Sequence, residues 1–169
     1  MRHIVSRKEV ILEKLRRPEG WFLADTLTPK ERSERMSRVR GKGSKPEMKL
    51  RRLVHGMGFR YRLHSQVLPG KPDLVFPGRK AVIFMHGCFW HRHPGCKLAR
   101  MPKSRIDFWR KKLDANRQRD LQNQTRLRNM GWRVLVVWEC QLGDTSVMSR
   151  IVREFLNNQW GERGNDEIS

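Results

Sequence analysis

Apolar residues along the 169-residue chain recur with two different periods. Leu50, Leu53, Val54 and Met57 follow the i, i+3, i+4, i+7 spacing of a buried helix face, behind the capping box Ser44-Lys45-Pro46-Glu47 and ahead of Gly58, a natural stop. Val147, Met148, Ile151, Val152, Phe155 and Leu156 repeat the pattern in a closing helix. Between them the period changes. Phe59–Leu63 and Pro72–Phe76 read as strands, with a turn at Pro77-Gly78. Ala81–Met85 and Arg133–Trp138 lack polar alternation and read as strands buried on both faces. Ser104-Arg-Ile-Asp107 should cap a long polar helix running to about Met130, with Gly131 after it.

An earlier capping box, Thr28-Pro29-Lys30-Glu31, predicts a helix of about ten residues ending near Val39. A basic, glycine-rich loop follows at 40–45. Residues 1–24 read as an extension with only a weak helical signal (Val10, Ile11, Leu15), 25–160 as one domain, and 161–169 as a disordered tail. The order α, β, β, β, α, β, α predicts a central sheet sandwiched by helices.

Charge narrows the function. Lys and Arg number 37 against 17 Asp and Glu, a net charge of +20, with a pI near 11.2. Such an excess on one small domain implies a polyanion, most often nucleic acid. An acidic membrane surface is the main competitor. No apolar run reaches the roughly 18–20 residues of a membrane span, and Met1 to Arg17 lacks the apolar core of a signal peptide. A cytoplasmic location is therefore expected. Three cysteines in such a protein point to metal rather than disulfides.

Cys88, His93 and Cys96 share one loop with C-x4-H-x2-C spacing, and Cys140 follows the strand 133–138. Three thiolates and an imidazole form a closed tetrahedral set for structural zinc. The loop is long, polar and poor in core residues, so a metal would supply its order. The competing reading makes Cys140 a core cysteine and the loop cysteines incidental. Spacing alone does not decide between His91 and His93 as the ligand.

Phosphodiester hydrolysis with magnesium needs a carboxylate for a hard cation and a group to manage the water's proton. Asp73 opens a short apolar strand, and the next strand ends at Met85-His86, so His86 should sit near Asp73 if the two pair. His91 lies five residues on. Glu47 begins a helix whose apolar face turns it inward. Each has a plainer reading: Asp73 as a turn residue, Glu47 as half of a capping box, His86 as a satisfied loop histidine. Their joint placement at one sheet edge favours chemistry. Phe89-Trp90 and Phe108-Trp109 lie among basic residues, where aromatics stack on bases or wedge between base steps. Periodicity instead aligns Trp109 with Ile106 and Leu113, which favours core packing for it.

Asp25-Thr-Leu-Thr-Pro29, Met36-Ser-Arg-Val-Arg-Gly41, Lys45-Pro-Glu47, Leu68-Pro-Gly-Lys-Pro-Asp73, Val82-Ile-Phe84, His86-Gly-Cys-Phe-Trp-His91, Pro102-Lys-Ser-Arg105, Phe108-Trp109, Gly131-Trp-Arg-Val-Leu135 and Trp138-Glu-Cys140 form a further set of motifs. On these segments the chain resembles the very-short-patch repair (Vsr) endonucleases. These segments run in family order over about residues 25–156.

The resemblance implies a three-layer α/β/α fold of restriction-endonuclease type, with a mixed central sheet and a structural zinc. It implies nicking 5′ to the thymine of a T:G mismatch, of the kind left by 5-methylcytosine deamination. Asp73 and the backbone carbonyl of Met85 would bind catalytic magnesium, His91 would be the general base, and His86 and Glu47 would support the site. Zinc would go to Cys88, His93, Cys96 and Cys140. Phe89, Trp90 and Trp109 would intercalate beside the mismatch, with Met36 entering from the minor groove. The implied partner is mismatched double-stranded DNA, with mismatch-repair proteins as further candidates, and the implied working state is a monomer associated with the nucleoid.

Three departures bear on this. The E-x-K found in many restriction-type nucleases is replaced by Phe84-Met85-His86; the family itself lacks E-x-K. A family member carries threonine at the Met85 position; a carbonyl ligand survives the change to methionine, a hydroxyl ligand does not. Residues 1–24 match no family segment. Two rival readings are a related nicking endonuclease of different specificity and a non-catalytic zinc module that binds DNA.

Overall fold

Alternate residues of each strand enter different cores, and that alternation sets the layers of the fold. The structure, a computed structural model, describes residues 28, 30, 31, 34 and 43–158. The expectations for 1–24, for Met36 and for 161–169 lie outside the described residues. Thr28, Lys30, Glu31 and Glu34 belong to a separate compact unit, residues 1–39. There the first capping box forms: Glu31 N donates to Thr28 Oγ1 at 3.2 Å, and Thr28 N donates to Glu31 Oε2 at 2.8 Å.

In the second unit the elements run α1 (Lys45–Gly56), β1 (Arg62–Leu63), β2 (Leu74–Phe76), β3 (Ala81–His86), α2 (Ile106–Asn129), β4 (Arg133–Trp138) and α3 (Thr145–Asn157). The sheet order is β1-β2-β3-β4. β1–β2 and β2–β3 are antiparallel and β3–β4 is parallel, so the sheet is mixed as expected. Leu74, Phe76, Ala81, Ile83 and Val137 pack with Leu50 and Val54 of α1 and with Met148, Val152 and Leu156 of α3. Val75, Val82 and Phe84 pack on the other face with Leu127 of α2. Helices therefore cover both faces, and β2 and most of β3 are buried on both sides.

Three expectations need correction. Of Phe59–Leu63 only Arg62 and Leu63 pair, because Phe59 and Tyr61 pack on the core and Tyr61 Oη donates to Arg51 O at 3.0 Å. His64, at φ 45°, then turns the chain away. β4 is half-buried except at Val137, since it ends the sheet among the described strands. Ser104 does not cap α2. The chain enters that helix through Arg105 at φ 52°, which makes no side-chain cap bond, so the expected box does not form.

Candidate active site and metal centre

β2 starts two residues late because Pro72 has no N–H to give the ladder. Asp73 replaces the missing pairing with its side chain: Met85 N donates to Asp73 Oδ2 at 2.7 Å. Asp73 and His86 thereby reach one cavity of about 280 Å³, lined also by His64, Lys71, Met85, His91 and Asp120. Burial raises the Asp73 pKa above its ordinary value. The Met85 amide opposes this, and the nearby Glu47 charge adds to it. Such a carboxylate gains from a cation close by.

His86 and His91 are stacked, with ring centroids 3.9 Å apart and planes 13° from parallel. His86 is buried and also meets the edge of Trp138. Burial, helped by the His91 charge, lowers its pKa to about 4, so it is neutral at pH 7. His91 Nδ1 lies 2.5 Å from Asp120 Oδ2. A carboxylate can only accept here, so Nδ1 carries the proton and Nε2 is left as the basic nitrogen. No sequence signal marks Asp120, which looks like one more charge on a solvated helix.

Glu47 is buried, and its carboxylate serves three neighbours. Its Oε2 accepts from Gly43 N at 2.6 Å, completing the N-terminal cap of α1, while Glu47 N donates to Ser44 Oγ at 3.4 Å. Its Oε1 pairs with Arg51 and lies 3.2 Å from His64 Nε2. His64 Nδ1 lies 4.0 Å from Asp73 Oδ1. His64 thus lies between the Glu47 and Asp73 carboxylates, with Arg51 Nη2 2.7 Å from its Nε2. Neither Arg51 nor His64 carries a motif that would have marked it in advance.

Cys88, His93, Cys96 and Cys140 offer four donor atoms within 4.8 Å of one another. His93 Nδ1 lies 3.6 Å from Cys88 Sγ and 3.3 Å from Cys140 Sγ. Tetrahedral zinc with ~2.3 Å thiolate bonds spaces its donors about 3.5–3.8 Å apart, so this soft set fits zinc. Cys140 is exposed, which removes the core-cysteine reading; the buried thiol is Cys88, whose pKa burial pushes up to about 12. His93 stacks on Trp138 at 4.2 Å. The loop thus sends His93 to the thiols and His91 to Asp120.

The same loop carries Phe89 and Trp90. They meet Trp109 at 5.4 and 6.1 Å, and Phe108 joins through Trp109 at 5.4 Å. Lys112 lies 5.7 Å from the Trp90, Phe108 and Trp109 rings. Trp109 does not continue a core stripe: Leu113 is buried but Ile106 is 43% exposed, and the loop aromatics take the place of core partners. The result is a half-buried aromatic surface with cations over it.

The sequence profile described as "DNA mismatch endonuclease Vsr" matches residues 24–97. The DNA mismatch endonuclease Vsr of Escherichia coli (strain K12) is 41% identical over 120 residues, covering 71% of this chain and 76% of its own length. The type II nicking enzyme V.XorIIP of Xanthomonas oryzae pv. oryzae is 47% identical over 135 residues, covering 80% and 98%. A solved structure, the catalytic domain of homing endonuclease I-Bth0305I, overlaps 66% of this chain and 93% of its own at a TM-score of 0.45 and 18% identity. The relatives define an endodeoxyribonuclease. The chain belongs to the Vsr family of DNA mismatch endonucleases.

Proposed function

We propose that this chain nicks one strand of double-stranded DNA 5′ to the thymine of a T:G mismatch, by magnesium-dependent hydrolysis, on a fold of restriction-endonuclease type. The observation that carries the reading is the convergence of Asp73, His86 and the His91–Asp120 pair on one cavity of a strongly basic chain. A module that only binds DNA has no use for two carboxylates in such a groove. Asp73 and the carbonyl of Met85 would hold magnesium, which when bound supplies electrophilic activation of the scissile phosphate.

The chain's own residues do the rest. His91 takes a proton from the attacking water at Nε2, and Asp120 fixes the tautomer that makes this possible. His86, held neutral, supports the His91 ring face to face without adding a competing charge. Glu47 and Arg51 hold His64 beside Asp73. The P–O3′ bond breaks, leaving a 3′-hydroxyl and a 5′-phosphate. Cys88, His93, Cys96 and Cys140 would hold zinc, which ties the loop bearing His91, Phe89 and Trp90 to the end of β4. Phe89, Trp90 and Trp109 wedge beside the mismatch, where unstacking is least costly. Met36 is the proposed minor-groove contact.

The test is a panel of end-labelled T:G, G:C and looped duplexes in several sequence contexts, with and without magnesium. Nicking confined to T:G duplexes, dependent on magnesium and lost in Asp73→Ala with zinc content unchanged, is expected. Robust nicking by Asp73→Ala sinks the assignment of that residue. Equal nicking of G:C duplexes favours a nickase of different specificity.

A further inference from the structure

Lys71 is the single Lys or Arg among the residues lining the cavity, in a chain that carries 37 such residues. The same wall holds the carboxylates of Asp73 and Asp120. Such a pocket is hostile to a phosphodiester unless cations offset it. A metal on Asp73 is one; the lining offers Lys71 as the other.

Its placement is built rather than incidental. Leu68-Pro69-Gly70-Lys71 is a turn closed by Lys71 N donating to Leu68 O at 3.1 Å, with Pro at its second position and Gly70 at φ 74° in its third. Gly70 is pressed on α2: a Cβ there would lie 3.0 Å from Asn123 Cβ. Lys71 itself adopts φ 50°, a conformation that L residues with long side chains avoid, and buried Pro72 follows. Both flanks of Lys71 are therefore fixed to the body. Its side chain is exposed and makes no hydrogen bond or ion pair among the described residues, so nothing structural employs the charge. A lysine held in an unfavourable backbone region, unpaired, on the wall of a reaction cavity matches a group positioned for a ligand.

We propose that Lys71 is a further catalytic residue, whose ammonium contacts a non-bridging oxygen of the scissile phosphate. This rests on the hydrolytic reading above. As water adds to phosphorus and its proton passes to His91, negative charge grows on the non-bridging oxygens, and Lys71 offsets it. The electron pair of the breaking bond leaves with O3′, which takes a proton from solvent. Lys71 neither gives nor loses a proton.

The experiment compares the unchanged protein with Lys71→Asn, Lys71→Gln and Lys71→Arg. Asparagine tolerates the left-handed region, so Lys71→Asn separates the charge from the backbone. Single-turnover nicking at saturating protein, duplex Kd and thermal midpoint are read on whichever duplex of the panel the unchanged protein cuts. Lys71→Asn and Lys71→Gln should nick ~10²-fold more slowly or worse, the usual effect of removing one charge-stabilising donor. Duplex Kd should move less than about threefold, since one phosphate contact among many is lost. The midpoint of Lys71→Asn should hold or rise, and Lys71→Arg should keep most of the rate. Nicking by Lys71→Asn within about threefold of the unchanged protein overturns the proposal. So does a loss that is equal in all three variants and follows their thermal midpoints. Cutting of matched duplexes alone would overturn the mismatch reading and leave this comparison intact. If the unchanged protein binds every duplex and cuts none, both readings fall.

Discussion

Glu47 gives one oxygen to the cap of α1 and the other to Arg51 and His64. A capping residue and a site residue are usually alternatives; burial at a helix start makes them compatible. Removing this carboxylate would leave the half-buried Arg51 guanidinium, whose buried Nε already has no hydrogen-bond partner, with only neutral contacts at His64 and Met48. Glu47→Ala is expected to lower stability by about 3 kcal/mol. Urea denaturation measures it, and a loss below about 1 kcal/mol would show that water readily replaces the pair. Asp144 gives a pH test. It caps α3, accepting from Ser146 N at 2.9 Å and Val147 N at 3.0 Å, and these bonds hold its pKa below the ordinary 3.8. The folded pKa is depressed, so the contribution is fully present above pH 3.8 and disappears as pH falls through the lower folded value. Urea midpoints of Asp144→Ala and the unchanged protein should differ at pH 6 and converge as the pH drops well below 3.8. Gly70→Ala combines a Cβ contact at 3.0 Å with φ 74° and should cost about 1–2 kcal/mol. Adding Asn123→Ala should recover only the part due to Nδ2 and Cγ, at 3.1 and 3.2 Å, because the Cβ contact and the backbone penalty both stay.

α2 shows why some elements were legible and part of the site was not. Its non-exposed residues are Trp109, Leu113, Asn116, Asp120, Asn123, Gln124 and Leu127, a single stripe at spacings of three and four. The stripe is apolar at Leu113 and Leu127, where it meets protein, and polar between them, where it lines the cavity and holds the loop: Asn116 Nδ2 donates to Trp90 O at 3.3 Å. Hydrophobic periodicity sees only the apolar ends, so the helix reads as solvated and Asp120 stays hidden. α1 and α3 bury aliphatic faces, so their patterns were plain. β2 and β3, buried on both faces, were equally plain as short apolar runs. The Cys/His spacing exposed the thiol cluster, but the choice between His91 and His93 needed Asp120, 29 residues away. At this scale Cys140→Ser should reduce bound zinc below one per chain. Metal analysis after mild chelation reads this, and nicking should fall in parallel because the loop carries His91. Full zinc retention would place Cys140 outside the ligand set.

The whole molecule is dominated by its +20 charge. α2 alone exposes Arg110, Lys111, Lys112, Arg117, Arg119, Arg126 and Arg128. None of the described helices is long and apolar enough to cross a membrane. Binding to matched duplex, which needs no mismatch contact, should therefore be mainly electrostatic. Its affinity is expected to fall by ~10³-fold or more between 50 and 200 mM salt, as for about 6–10 neutralised phosphates. Fluorescence anisotropy across that range decides it; a drop of less than tenfold would mean that most of the charge faces away from DNA.

The parallel pairing of β3 with β4 has a consequence for synthesis of the chain. β3 is buried along most of its length and sits between β2 and β4, yet its partner β4 lies about fifty residues downstream. At 5–20 residues per second a ribosome needs roughly 3–10 s to deliver β4 after β3. During that interval Ala81–His86 has one edge open and only β2 beside it. Slow translation of α2 would prolong the exposure, so silent codon changes there should alter the soluble yield without changing a single residue.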